Sequence, residues 1–528
     1  MPDVCESGSR SGPPRARTGV FAAISASWRW FALAGYAAWV LLVGSHHEPW
    51  FDEAQAWLLA RDNDLWPLLV QHVRYEGSPG LWHAVLWIAM RAGVPYAWLF
   101  ILPAGFAMAG AGVILWRAPF PAPLRVLLLT SYFYGYQFSV VARGYCLDLL
   151  LVPLAATCFA DRIARPVRYA VVIGLIANTN AHGVLVAGVL ALELAVAMAR
   201  RVIGGQTITY RRAAMALAIA GGLIGFALFC TWQPADNNFP FPQLHGNHAM
   251  RTIVFLCNAF VDHIVVWNAQ AAGNWDIFAS VILTLVLQRP VIALVAAGKN
   301  RAMAAAVVAV LLLLAVFVHA AAWHSGVFFL FWLFIVWVEW PNRVSRTDRR
   351  QLVAAIALIA SLQTVQTVRT GLWDIANVYA TGAQAAAAVS TWRAAHPGGR
   401  VFGYGDYAFV VQPWLGGNAF ANYHGGAPRP SYVRWNMGEP WMAGSWQATS
   451  RMDFWQTVLA ARPDLIVASP VNRNGSSGHM ANLVQDACRA GYGVADHFPG
   501  TMVWRGRLSG DQSLYVFARG SQRGCAVP

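Results

Sequence analysis

Long apolar runs, each near the length that crosses a lipid bilayer and separated by short charged segments, set the terms on which this 528-residue chain folds. A spanning helix needs about 20 consecutive apolar residues, within a range of roughly 17 to 25. Such runs fall near residues 28–45, 95–116, 123–141, 145–160, 213–231, 277–297, 302–321, 324–340 and 351–368. Charged residues make up only 12% of the chain, against about 25% in soluble proteins. That is too little charge to coat a particle of this size, so a large soluble core is excluded. The chain reads as a polytopic α-helical membrane protein.

Residues 169–199 are too long for one ordinary span and short for two. Arg165 and Arg168 precede them and Arg200, Arg201, Arg211 and Arg212 follow, so both ends belong on the arginine-rich side. The stretch therefore reads as a helical hairpin turning at Asn178–Gly183, which brings the total to about eleven transmembrane helices. The net charge of +14, almost all of it arginine, collects in the segments this topology puts inside. Charge sorted by side in this way is a topology signal and not a nucleic-acid footprint. It predicts a 1–27 cytoplasmic tail, a 28–369 membrane domain, and everything after about 369 outside. The first apolar run lacks a cleavage pattern and is expected to stay as an anchor.

From about 370 the texture changes to helix-like stretches at 375–395, 452–461 and 478–490. These alternate with strand candidates at 400–404, 464–468, 492–497, 501–506 and 513–518, the last two surrounding a Gly-Asp pair. Residues 370–528 are thus expected to form a small extracytoplasmic α/β domain. Cys488 and Cys525 both lie there, where a disulfide is an option if the domain is external.

Two outer segments are long, 46–94 and 232–276. The first opens with His46-His47-Glu48-Pro49-Trp50-Phe51-Asp52-Glu53-Ala54-Gln55-Ala56-Trp57. Adjacent acids at the end of a span, among aromatic rings, can be partly desolvated into a useful base. On composition alone, two acids opening a helix are as well explained by the helix dipole. About twenty residues on stands Arg74-Tyr75-Glu76-Gly77-Ser78-Pro79, then Ala142-Arg143-Gly144-Tyr145-Cys146-Leu147 in the next outer loop, and Asn178–Gly183 after a further short span.

In that order and on that topology the motifs resemble the GT-C glycosyltransferases. These are integral membrane enzymes using polyprenyl-phosphate sugars, here closest to the protein O-mannosyltransferase, lipid A aminoarabinose transferase and RgtA/B/C/D-like branches. The likeness covers residues 28–200 well, later spans in architecture only, and the terminal domain hardly at all. It implies transfer from a polyprenyl-phosphate donor to a lipid, polysaccharide or protein acceptor at the outer face of the membrane. Asp52 would be the base and Glu53 would orient the acceptor. Arg143 is the first choice for the donor phosphate, with Tyr145, His182 and Arg74 behind it, and Glu76 as a ligand of the sugar or of its phosphate through a cation. No second acid stands where some members place one, and Asp148 lies further into the following helix. A divalent cation is therefore left open, and the histidines at 46, 47, 245, 248 and 263 have no metal spacing.

Glu193 and Asp148 are functional candidates as intramembrane acids, with pairing to an arginine or a polar helix as the alternative. The aromatic runs Trp232–Phe241 and Tyr432–Trp446 either stack sugar rings or belong to interface belts. Two other functions stay open. A lipid-linked glycan transporter would put ionisable groups at mid-bilayer. A polysaccharide polymerase or ligase would use Arg251, His245, His248 and His263 in the later loop.

Overall fold

A computed structural model of the chain describes residues 17–237, 248–265, 273–317, 321–436, 448–469 and 480–521. The chain begins with α1 (Arg17–His46), followed by α2 (Phe51–Asp62) and α3 (Leu81–Arg91) in the first outer segment. Then come α4 (Ile101–Arg117), α5 (Ala122–Leu129), α6 (Asp148–Phe159), α7 (Pro166–Ala177), α8 (Ala181–Ile203) and α9 (Tyr210–Thr231). The series continues with α10 (His248–Phe260), α11 (Asn274–Ala296), α12 (Arg301–Phe317), α13 (Ser325–Glu339) and α14 (Arg346–Ala376).

Among the described residues six helices are long and apolar enough to cross a membrane, and three shorter apolar helices accompany them. Their outer faces carry Leu192, Leu285, Val286 and Ile292, each more than half exposed. Such surfaces are compatible with a lipid surrounding. By contrast α13, apolar on every side, is buried along nearly its whole length and is the centre of the bundle.

The expected hairpin is present as α7 and α8, with the turn at Asn178–Asn180. Asn180 caps α8 by accepting from Gly183 N at 2.9 Å. A Cβ on Gly183 would sit 2.3 Å from the Ile176 carbonyl, so only glycine lets the two helices meet there. The run at 123–141 is not one continuous helix. It breaks after α5, and Phe133–Gln137 winds as a wider π-turn. Gly135 lets this segment lie against Thr367 of α14, and side chains from α1 catch carbonyls of the turn. Trp39 Nε1 donates to Gly135 O at 2.8 Å and Tyr36 OH to Tyr134 O at 2.7 Å. Irregular backbone in such a place survives because protein satisfies it.

The terminal region adds α15 (Gly382–Ala395), α16 (Ala448–Ala460) and α17 (Met480–Arg489). Its strands are β1 (Val401–Tyr404), β2 (Leu465–Ala468), β3 (Tyr492–Phe498), β4 (Thr501–Trp504), β5 (Arg507–Asp511) and β6 (Leu514–Arg519). The main sheet runs β1-β2-β6-β3, with β1 and β2 parallel and the other pairs antiparallel. Its residues alternate between two cores. Phe402, Tyr404, Ile466, Tyr515 and Phe517 gather with Trp455 of α16 and Leu483 of α17. Val401, Leu465, Val467 and Val516 join the core that continues into the membrane domain. A sheet covered on both faces reads as near-continuous apolar strands, as these do.

The 501–506 strand does not pair across the Gly-Asp. It ends at Trp504, turns at Arg505-Gly506, where both residues have positive φ, and pairs with β5 in a separate two-stranded ribbon. A two-residue hairpin loop calls for that backbone. The ribbon tip enters the helical domain, where the fully buried Arg505 stacks on Tyr132 and Phe133 and donates to Asn258 O. Cys488 is disulfide-bonded, while Cys525 lies outside the described residues.

Helices α4 and α6 meet at Gly110, where an added Cβ would lie 2.0 Å from the Leu149 carbonyl. Gly110→Ala is expected to cost about 2 kcal/mol by overpacking. Gly112→Ala, with nothing within 4 Å, should cost nothing. Melting of the two detergent-solubilised variants compares them directly, and equal midpoints would remove this helix contact as a constraint.

Candidate functional site

The loop between α1 and α2 is pulled down by a buried charge cluster. His47 Nδ1 lies 2.8 Å from Asp374 Oδ2 near the end of α14, and its Nε2 lies 3.1 Å from Glu53 Oε2. A carboxylate on each side asks both ring nitrogens to donate, so this is an imidazolium. Burial works against the charge, yet Asp374 and Glu53 outweigh it and push the His47 pKa up to about 10. Tyr136 OH donates to the same Asp374 oxygen at 2.8 Å.

Glu53 is 1% exposed and fully engaged. Besides His47, its Oε2 accepts from Trp50 N at 3.1 Å, and its Oε1 accepts from Ala142 N at 2.5 Å. It therefore fixes the backbone immediately before Arg143. Gly144 completes that placement, since a Cβ there would come within 2.8 Å of Thr179 O.

Arg143 Nη1 then lies 2.9 Å from Asp52 Oδ2, with about a quarter of the arginine side chain open to solvent. Burial lowers the basicity of Arg143, but the charges of Asp52, Glu53 and Glu76 more than restore it, leaving its pKa raised. The rings of Tyr145, Trp323 and Trp50 stand 5.4, 5.5 and 6.0 Å from its guanidinium carbon. His324 links this cage to His182, with ring centroids 5.8 Å from Tyr145 and 4.9 Å from His182. An accessible guanidinium among aromatic walls, beside a carboxylate, can bind an anion and accept a proton within one small volume.

Of the residues singled out in the sequence, Asp52, Glu53, Arg143 and Tyr145 come together, and His182 joins through His324. Glu53 is a buried brace and cannot reach an acceptor. Glu76 is held by Gln55 Nε2 and Trp435 Nε1, both at 2.9 Å to Oε1. Arg74 turns elsewhere, donating to Trp232 O at 3.0 Å and lying over Phe229. Asp148 is fully buried and accepts from Thr179 at 2.8 Å and Asn180 at 2.6 Å, so it anchors the turn that carries His182. Glu193 takes its alternative, a two-point pair with Arg162 at 2.6 and 2.9 Å. His263 is buried beside Asp262, while His245 and the side chains of His248 and Arg251 lie outside the described residues. Among the described residues no group of three or more His, Cys, Asp or Glu side chains is arranged to hold a metal ion.

Trp323, His324 and Asp374 carry parts of this site that the motifs did not, and His47 lies within the first motif but has no role assigned there. Asp374 is a lone acid just past an apolar run, and His324 directly precedes another, so position alone marks both.

The terminal domain grips the same loop. Gln55 exchanges two hydrogen bonds of 2.9 Å with the backbone of Val433. Asp62 accepts from Ser431 N at 2.6 Å, and Glu48 accepts from Ala383 N at 2.7 Å. Compared with protein-family models, curated proteins and solved structures, the chain matches none of them.

Because the folded-state pKa of His47 lies above its ordinary value, the stability it brings is complete below about pH 6.5 and is lost as pH rises toward about 10. His47→Gln should cost about 3 kcal/mol at pH 7 by stranding two buried carboxylates. Its melting temperature should also fall less between pH 7 and 10 than that of the wild type. Parallel pH dependences would refute the imidazolium.

Proposed function

We propose that the protein is a GT-C-type glycosyltransferase. It would move a sugar from a polyprenyl-phosphate donor to a lipid, polysaccharide or protein acceptor at the outer face of a bacterial inner membrane. The single observation that carries this reading is the partly open Asp52–Arg143 pair, held in an aromatic cage at the end of the first apolar helix. The ordered motifs of the first half, the apolar helices and the arginine-poor outer segments support it further. The disulfide at Cys488 supports an external terminal domain, since such bonds persist in oxidising compartments. Eleven spans with the amino terminus inside remain the topology we infer.

In this mechanism the donor phosphate takes the guanidinium of Arg143 away from Asp52, with Tyr145, His182 and His324 around it. The freed Asp52 carboxylate accepts the proton of the acceptor hydroxyl. The acceptor oxygen attacks the anomeric carbon, and the carbon–oxygen bond to phosphate breaks. Polyprenyl phosphate leaves with the electron pair, and the anomeric centre is inverted. Glu53, Asp374 and His47 position Arg143 without touching substrate.

Asp52→Asn should leave a monodisperse, folded protein and lower transfer from a radiolabelled polyprenyl-phosphate sugar by about 1,000-fold. Arg143→Gln should lower kcat and raise the donor KM, by about 100-fold in kcat/KM. Wild-type transfer by Asp52→Asn would remove Asp52 from the mechanism, and donor crossing vesicles without product would favour a transporter.

A further inference from the structure

Beside Glu76 lies a cavity of about 340 Å³. Its volume is at the lower end of small-ligand sites, roughly 300–1,000 Å³. It is built where α2 and the segment after it meet Tyr432–Asn436 of the terminal domain. Two guanidinium groups, Arg74 and Arg434, line it against the one carboxylate of Glu76. That carboxylate is already occupied on Oε1 by Gln55 and Trp435. Neither guanidinium forms an ion pair among the described residues. Arg434 is exposed at the rim while its backbone is fixed, its N–H donating to Tyr423 OH at 3.2 Å.

The remaining polar wall is neutral. Tyr432 OH and His72 Nδ1 are 3.1 Å apart, and both residues line the cavity. Burial, aided by the charge of Arg434, lowers the His72 pKa and keeps the imidazole uncharged near neutral pH. A neutral imidazole and a phenol offer the donors and acceptors that sugar hydroxyls need. The two guanidinium groups fit a carboxylate or phosphate oxygen pair.

We propose that this cavity binds a saccharide bearing an anionic group, carboxylate or phosphate, recognised by Arg434 and Arg74, and that this saccharide is the acceptor. The word acceptor rests on the transferase reading; the anionic-saccharide site does not. Glu76 lines the cavity, and its charge also acts on Arg143 of the proposed reacting pair.

The full chain in lipid nanodiscs, titrated calorimetrically with digalacturonate and mannose 6-phosphate, tests this. A neutral galactose disaccharide, mannose and inorganic phosphate serve as comparisons. At least one anionic sugar is expected to bind about ten-fold tighter than its neutral counterpart. Arg434→Gln should weaken that binding about ten-fold, Arg434→Lys should weaken it less, and Gly112→Ala should leave it unchanged. Equal binding of charged and neutral sugars, or unchanged binding in Arg434→Gln, would overturn the proposal. So would inorganic phosphate binding as tightly as either anionic sugar. If the binding pattern holds while the wild-type chain transfers no sugar from a polyprenyl-phosphate donor, the site stands and the transferase reading falls.

Discussion

A protonated histidine buried between two carboxylates holds the first outer segment onto the last long helix, and the geometry around Arg143 follows from it. Breaking into such a cluster strands charge in a low-dielectric interior, which is far more costly than losing a surface pair. His47 therefore acts as a fixed strut between Glu53 and Asp374. Glu53 passes that rigidity to the Ala142 amide, and the next residue along presents its guanidinium to Asp52. Reaching Asp374 takes a helix of 31 residues, about 46 Å long, which exceeds a typical hydrocarbon core by several turns.

Around this strut several polar contacts sit where protein covers them. The π-turn at Phe133–Gln137 is served by Tyr36 and Trp39, and the α7–α8 turn by Asp148. Arg505 brings a full charge from the terminal ribbon to the side of the bundle, stacked on rings and donating to a carbonyl. The terminal domain is thus fastened at two places, through α2 and through the ribbon tip. The first of these fastenings also forms the wall of the cavity beside Glu76.

Much of the architecture can be read from the chain because its rules are local. Apolar length marks most of the long helices, and Asn and Gly at 178–183 mark the hairpin. Strands β1, β2, β3 and β6 fall within a residue or so of their apolar stretches. The β4–β5 ribbon escaped because a turn at Arg505-Gly506 looks like strand interior until its backbone is seen. The run at 123–141 looked continuous because a helix and a helix broken by a π-turn share the same apolar residues. In the site, Asp52 and Arg143 stood out by type and position. Glu53 carried the same marks as Asp52 but faces inward, a difference of one helical position that composition does not register.

By itself the sequence determined the helical class of its first two thirds, the α/β character of the rest, and the short set of charges available for chemistry. Those depend on residue type and spacing, which act over a few turns of chain. Only the tertiary structure decided which of those charges meet. Asp374 reaches His47 across 327 positions and Trp435 reaches Glu76 across 359, so both pairings are set by how helices and the terminal domain pack. The same packing separates Arg74 from Arg143 and turns it toward Arg434. Whether a buried charge becomes a brace, an anchor or an open ligand depends on what surrounds it in space, because desolvation and pairing energies are set by neighbours and not by order along the chain.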